Sequence, residues 1–144
     1  MIYEKLMKDH QEALALFDQI AETGDDEVRK RDRLFQKLTA DLTRHARAEE
    51  RVFYPALRDH EDTRPLVEES LEEHKEVESI LDQLQRMERD NAEWLETVLE
   101  LRESVQHHID EEESTLFQKA RHLLSEEEAD ELALRFDKEK SKAA

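Results

Sequence analysis

The chain has 144 residues, 42% of them charged, with a formal net charge of −17, one glycine, two prolines and no cysteine. This length suits one domain whose core needs no covalent staples. The charge repels nucleic acid and anionic membrane surfaces, and the lack of cysteine excludes disulfides, thiolate-held clusters and thiol nucleophiles, leaving nitrogen and oxygen ligands for any metal.

Helix-forming Leu, Glu, Ala, Lys, Arg and Gln dominate, so the composition predicts an all-α protein. The opening MIYEKLMKDH has no apolar h-region, and no stretch approaches the roughly 20 apolar residues that span a bilayer. Cytoplasmic residence without a membrane partner follows as the simplest expectation.

A first amphipathic segment places Tyr3, Leu6, His10, Ala13, Phe17 and Ile20 on one stripe, and Gly24-Asp25-Asp26 predicts a helix end near residue 23 followed by a new N-cap. A second stripe runs through Leu38, Leu42, His45, Glu49, Val52 and Ala56 to a break at Asp59–Asp62. Pro55 lies inside it and predicts a bend, because its ring crowds the carbonyl of Arg51. Thr63 before Pro65 predicts the third helix start, with Val67, Leu71, His74, Val77, Leu81 and Leu84 on its stripe.

Asp90-Asn91 marks the next break, and the fourth helix carries Trp94, Val98, Leu101, Val105, His108, Glu112 and Thr115. Ser125 with Glu128 reads as a capping box, opening a short fifth helix through Leu132, Leu134 and Phe136 into a charged, frayed tail. The predicted architecture is an up-down-up-down four-helix bundle over residues 1–124, with a short additional C-terminal helix and tail over 125–144.

Four histidines, His10, His45, His74 and His108, fall one to each predicted long helix. His45 with Glu49 and His108 with Glu112 form His-x-x-x-Glu pairs, one helical turn apart on the same face. In antiparallel neighbours, residues equally far from the intervening turn share a level. The midpoint between each successive pair of histidines falls at or within a few residues of a predicted turn, so the four converge in one layer. The two halves, each reading His then His-x-x-x-Glu, form a weak internal repeat.

Burying two glutamates and four histidines without partners costs several kcal/mol. A metal supplies the missing charge. Imidazole and carboxylate suit Fe, Mn or Zn, and two His-x-x-x-Glu units on facing helices favour a dinuclear site.

His60 and His122, near helix C-termini, and His107, about 100° off the stripe, are left out of the set. His107 with Glu111 also satisfies the His-x-x-x-Glu spacing, and only the periodicity of the fourth helix selects His108. Glu50 and Glu113 are balanced between an outer-shell role and solvent. Tyr3 and Tyr54 read as packing residues.

The ordered set His10, His45-ARA-Glu49-ERVFYP, His74 and His108-IDE-Glu112-ESTLF, including Phe53-Tyr54-Pro55, resembles the hemerythrin-like, or HHE cation-binding, family over about the first 124 residues. The resemblance implies that His10 and His45 bind one iron and His74 and His108 the other. It further implies that Glu49 and Glu112 bridge the two, and that an oxo or hydroxo group completes the pair.

Hemerythrins that carry oxygen reversibly have His-x-x-x-His on the third helix and His-x-x-x-x-Asp on the fourth. Here the third reads His74-Lys-Glu-Val-Glu78, so the fifth histidine is missing. Glu78 is a candidate oxygen ligand in its place, and Glu113 is an alternative to Glu112, which the heptad favours. An added anionic ligand at Glu78 stabilises ferric iron and lowers the reduction potential.

The resulting expectation is a non-heme di-iron protein that binds or reacts with oxygen, nitric oxide or peroxide, as a redox binder, sensor or iron-handling protein. No nucleophile constellation or phosphate-binding glycine loop points to an organic substrate. The alternatives are a di-iron oxidase, peroxidase or nitric oxide-consuming enzyme, and a metal-free helical interaction module whose protein partner the sequence does not identify.

Overall fold

The computed structural model describes residues 1–142. The chain forms α1 (Ile2–Ala21), α2 (Val28–Ala48), a π turn (Glu49–Phe53), α3 (Tyr54–Arg58), α4 (Arg64–Arg86), α5 (Ala92–Glu111), a second π turn (Glu112–Leu116), α6 (Phe117–Leu123) and α7 (Glu126–Ser141). The two π turns continue their helices. The result is four long antiparallel rods, α1, α2–α3, α4 and α5–α6, with α7 laid against them.

The turns fall where expected, with partly different chemistry. Gly24 does not adopt a left-handed conformation. The α1 terminus is instead closed by Thr23, whose hydroxyl donates to the Ile20 carbonyl at 2.6 Å. Helix α2 starts after Glu27 rather than on an Asp25 or Asp26 cap. Buried Arg31 then binds the Thr23 hydroxyl and the Thr23 and Arg89 carbonyls, tying that end of the bundle together. Asn91 caps α5 through its side chain, and the Ser125–Glu128 capping box forms in both directions.

The bend assigned to Pro55 takes another form. The irregularity is the π turn ending at Phe53, upstream of an exposed Pro55, and an equal π turn interrupts the fourth rod with no proline in it. Both π turns begin on a glutamate of the histidine layer. Such turns widen the helix by one residue and recur at functional sites; the second one shows that a proline is not required for such a turn in this layer.

The core divides into two apolar clusters. One holds Ala13, Phe17, Phe35, Leu38, Trp94 and Leu101. The other holds Tyr3, Phe53, Tyr54, Leu116 and Phe117 with Ala129, Leu132, Ala133 and Phe136 of α7. The histidine layer lies between them.

Helix α7 is longer than the short element read from sequence and continues to Ser141, with residues 143–144 of the expected tail outside the described residues. It turns Leu132, Ala133 and Phe136 inward and leaves Leu134 73% exposed. Phe136→Ala should therefore lower stability by about 3–5 kcal/mol, whereas Leu134→Ala should stay within about 0.5 kcal/mol. Chemical denaturation of the two variants measures both; equal effects would show that α7 does not dock.

Candidate metal centre

The layer is built from the inside outward. Glu49 and Glu112 are the most deeply buried carboxylates, 0% and 1% exposed. Four imidazole Nε2 atoms face them. His45 and His74 lie 3.2 Å from Glu49 Oε1, His10 lies 3.3 Å from Glu112 Oε1, and His108 lies 3.3 Å from Glu112 Oε2. The rings pair as His10 with His45, centroids 5.1 Å apart, and His74 with His108, 4.9 Å apart. Each carboxylate thus reaches one histidine of each pair.

Four further carboxylates orient the rings from behind. The Nδ1 atoms bind carboxylates: His10 to Glu113 at 2.6 Å, His45 to Asp9 at 2.8 Å, His74 to Glu50 at 2.8 Å and His108 to Glu73 at 2.7 Å. A carboxylate that accepts from Nδ1–H leaves Nε2 as the inward donor, the arrangement usual for metal-bound histidine. Glu50 and Glu113 therefore hold the rings rather than facing solvent alone. Asp9 and Glu73, which the sequence reading did not single out, do the same from the positions just before His10 and His74. That adjacency is the signal that could have found them.

Tyr54, whose place on an apolar stripe predicts packing alone, belongs to the site. Its hydroxyl donates to Glu112 Oε2 at 2.9 Å and Glu49 Oε1 at 3.2 Å, and lies 3.3 Å from His74 Nε2. Burial and the charges of Glu112 and Glu49 hold the phenol well above its usual pKa, so it is a neutral donor in the metal-free protein.

Glu78, expected on the same face as His74, is exposed and stands outside both groups of converging donors. One turn beyond His74 the helix presents Val77, not Glu78, to the layer, and Val77 lines the cavity there. The donor groups comprise His10, His45, Glu49 and Glu112 in one and Glu49, His74 and His108 in the other, with Glu49 common to both.

Five buried atoms in the layer, His10 Nε2, His45 Nε2, His108 Nε2, Glu49 Oε2 and Glu112 Oε1, make no well-aligned hydrogen bond, and the three nitrogens have only a carboxylate oxygen at 3.2–3.3 Å. Poorly satisfied polar atoms at this density are costly in a native interior. Their geometry suits a cation between them, and nitrogen with carboxylate oxygen is a donor set for a first-row transition metal. The residues present therefore fit a metal.

On the side of the Phe35–Trp94 cluster, Ala13, Leu42, Ala46, Val77, Val105 and Ile109 join the four histidines around a cavity of about 70 Å³. Asp9, Glu12 and Asp41 also line it.

Fold and site define a helical-bundle cation-binding protein. The chain belongs to the hemerythrin family, whose HHE cation-binding domain matches residues 1–120. It is 30% identical to an uncharacterized hemerythrin-like protein of Schizosaccharomyces pombe, over 96% of this chain and 68% of that one. It is also 33% identical, over 98% of its length, to a protein of Nostoc sp. named a DNA nickase, of which it spans only 39%. Among solved structures, a hemerythrin HHE cation-binding domain-containing protein of Mycobacterium kansasii superposes with a TM-score of 0.81 at 23% identity, covering 97% of this chain and 87% of that chain; it shares the fold. Among the described residues no helix is long and apolar enough to cross a membrane.

Without metal, the layer stores protons instead. Burial pushes the His45 imidazole down, but the Glu49 charge and the hydrogen bonds to Asp9 and Glu49 outweigh it and raise its pKa to about 10. His108 is likewise held well above its usual value by Glu112 and Glu73 against burial. A histidine whose pKa rises on folding contributes stability that is complete below about 6.5, the unfolded value, and is lost as pH climbs through the folded one. Chelator-treated protein should therefore lose more than about 1.4 kcal/mol between pH 6.5 and about 10. Denaturant melts across that range test this, and constant stability would exclude the protonated layer.

Proposed function

We propose that the layer holds two iron ions, His10 with His45 on one and His74 with His108 on the other, bridged by Glu49 and Glu112, and that the protein binds or reduces oxygen or another small oxidant. The observation that carries this reading is the convergence on one layer of five buried donor atoms without a well-aligned hydrogen bond. In a metal-free interaction module, protons on the imidazoles would have to take the place of the ions.

Iron bound in such a layer supplies electrons to oxygen, peroxide or nitric oxide. The protein's own residues do the rest. Asp9, Glu50, Glu73 and Glu113 hold the imidazoles in the tautomer that presents Nε2 inward. Tyr54 offers a proton-bearing hydroxyl between the two carboxylates. The cavity wall is mainly apolar, and the net charge of −17 disfavours a polyanionic guest.

With Glu78 exposed, the anionic ligand inferred from sequence does not account for a low potential. The side chains that would hold an ion at the second pair reduce to His74, His108 and the carboxylates they face, Glu49 and Glu112.

Iron-loaded protein should contain two iron ions per chain. Glu49→Ala and His108→Ala should each lose one or both, and Glu78→Ala should keep both. Elemental analysis decides this, and loss of iron on Glu78→Ala would restore that residue as a ligand. Anaerobic reduction followed by air should restore near-ultraviolet and visible absorption; an unchanged spectrum would exclude oxygen reactivity. Turnover of peroxide or nitric oxide, abolished by Glu49→Ala, would place the protein among the enzymes instead of the binders.

A further inference from the structure

A third group of ligating side chains lies outside this layer. On the outer face of α4 and α5, Glu69, Glu73, His107 and Glu111 each present an atom within 4.8 Å of the others. Glu69 and Glu73 are one turn apart on α4, and His107 and Glu111 one turn apart on α5, so two antiparallel helices offer paired donors to a single point. His107 Nε2 lies 3.2 Å from Glu111 Oε1 and 3.7 Å from Glu73 Oε2. Among the described residues, no lysine or arginine forms an ion pair with Glu69, Glu73 or Glu111. Three converging carboxylates therefore have His107 on this outer face, with His108 reaching only Glu73 Oε1 from the inner side.

The other half of the molecule shows what such a place requires. The layer has an approximate two-fold repeat in which Asp9 corresponds to Glu73, His10 to His74, His45 to His108, Glu49 to Glu112 and Glu50 to Glu113. Asp9 and Glu73 perform the same task, each accepting from a histidine Nδ1 through one oxygen. The second oxygen of Asp9 accepts from Lys140 of α7 at 2.7 Å. The second oxygen of Glu73 has no lysine and faces His107. A cation is thus built into one half of the repeat, and in the other half a set of metal-ligating side chains stands in its place.

We propose that Glu69, Glu73, His107 and Glu111 form an outer site for a divalent transition-metal ion such as Zn²⁺, which occupies on Glu73 the position that the Lys140 ammonium occupies on Asp9. One imidazole nitrogen with carboxylate oxygens selects a borderline cation over Mg²⁺ and Ca²⁺, which take oxygen ligands. The site itself stands apart from the di-iron reading; its effect on the inner layer rests on that reading. An ion on Glu73 Oε2 withdraws electron density from Oε1, weakens the acceptor at His108 Nδ1–H, and makes His108 a poorer inner donor.

The test is native mass spectrometry of the whole metal-stripped chain titrated with micromolar Zn²⁺, with circular dichroism as the check on folding. The wild type should bind one more Zn²⁺ than His107→Ala and one more than Glu111→Gln, and a large excess of Mg²⁺ should not displace that ion. His10→Ala should lose inner metal and keep the outer ion. If the wild type binds one Zn²⁺ and His107→Ala none, the outer site stands and the dinuclear reading fails. Equal numbers in the wild type and both variants, or displacement of the extra ion by Mg²⁺, would overturn the outer site.

Discussion

Two carboxylates, Glu49 and Glu112, sit at the centre of a helical bundle with essentially no exposure, between one apolar cluster and another. An ionised carboxylate in such a place costs several kcal/mol unless positive charge or donors surround it. Much of the molecule answers that requirement. Four imidazoles approach with Nε2, a phenol donates from Tyr54, and the helices that carry the glutamates widen into π turns at those residues. The requirement can be met by protons or by metal. Both occupy the same Nε2 atoms, so metal uptake must release protons.

The repeat that relates the halves is broken at three places, each with a chemical consequence. Tyr54 corresponds to Phe117: both rings lie along a histidine, Tyr54 on His74 and Phe117 on His10, but only one carries a hydroxyl. Asp9 has Lys140, while Glu73 has His107 and two further glutamates. Helix α7 covers one half only, packing Phe136 on the His45 ring with centroids 5.8 Å apart. The two histidine pairs therefore sit in different fields, although their own residues match.

The stripes, the turns and the inner six residues of the layer were legible because they are properties of helical periodicity. A side chain every three or four residues faces one way, and a chain that turns midway between two histidines brings them level. Glu78 shows where that logic fails. It shares the four-residue step of Glu49 and Glu112, but at that point α4 continues as regular helix with Val77 inward, while His45 and His108 are followed by π turns that start on the glutamate itself. Spacing does not distinguish those cases. Tyr54 was hidden for a related reason, since a tyrosine on an apolar stripe reads as packing until the direction of its hydroxyl is known.

The amino-acid sequence by itself determined an all-helical chain, the places where it turns, and which histidines and glutamates share a level, because each follows from local propensity and from rises and rotations along one helix. Only the tertiary structure decided which carboxylate holds which histidine. Asp9 binds His45, Glu113 binds His10, Glu50 binds His74 and Glu73 binds His108, each pairing crossing from one rod to another. Contacts of this kind depend on the rotation of neighbouring helices about their own axes. The packing of two apolar clusters and the docking of α7 set that rotation, and no single helix encodes it.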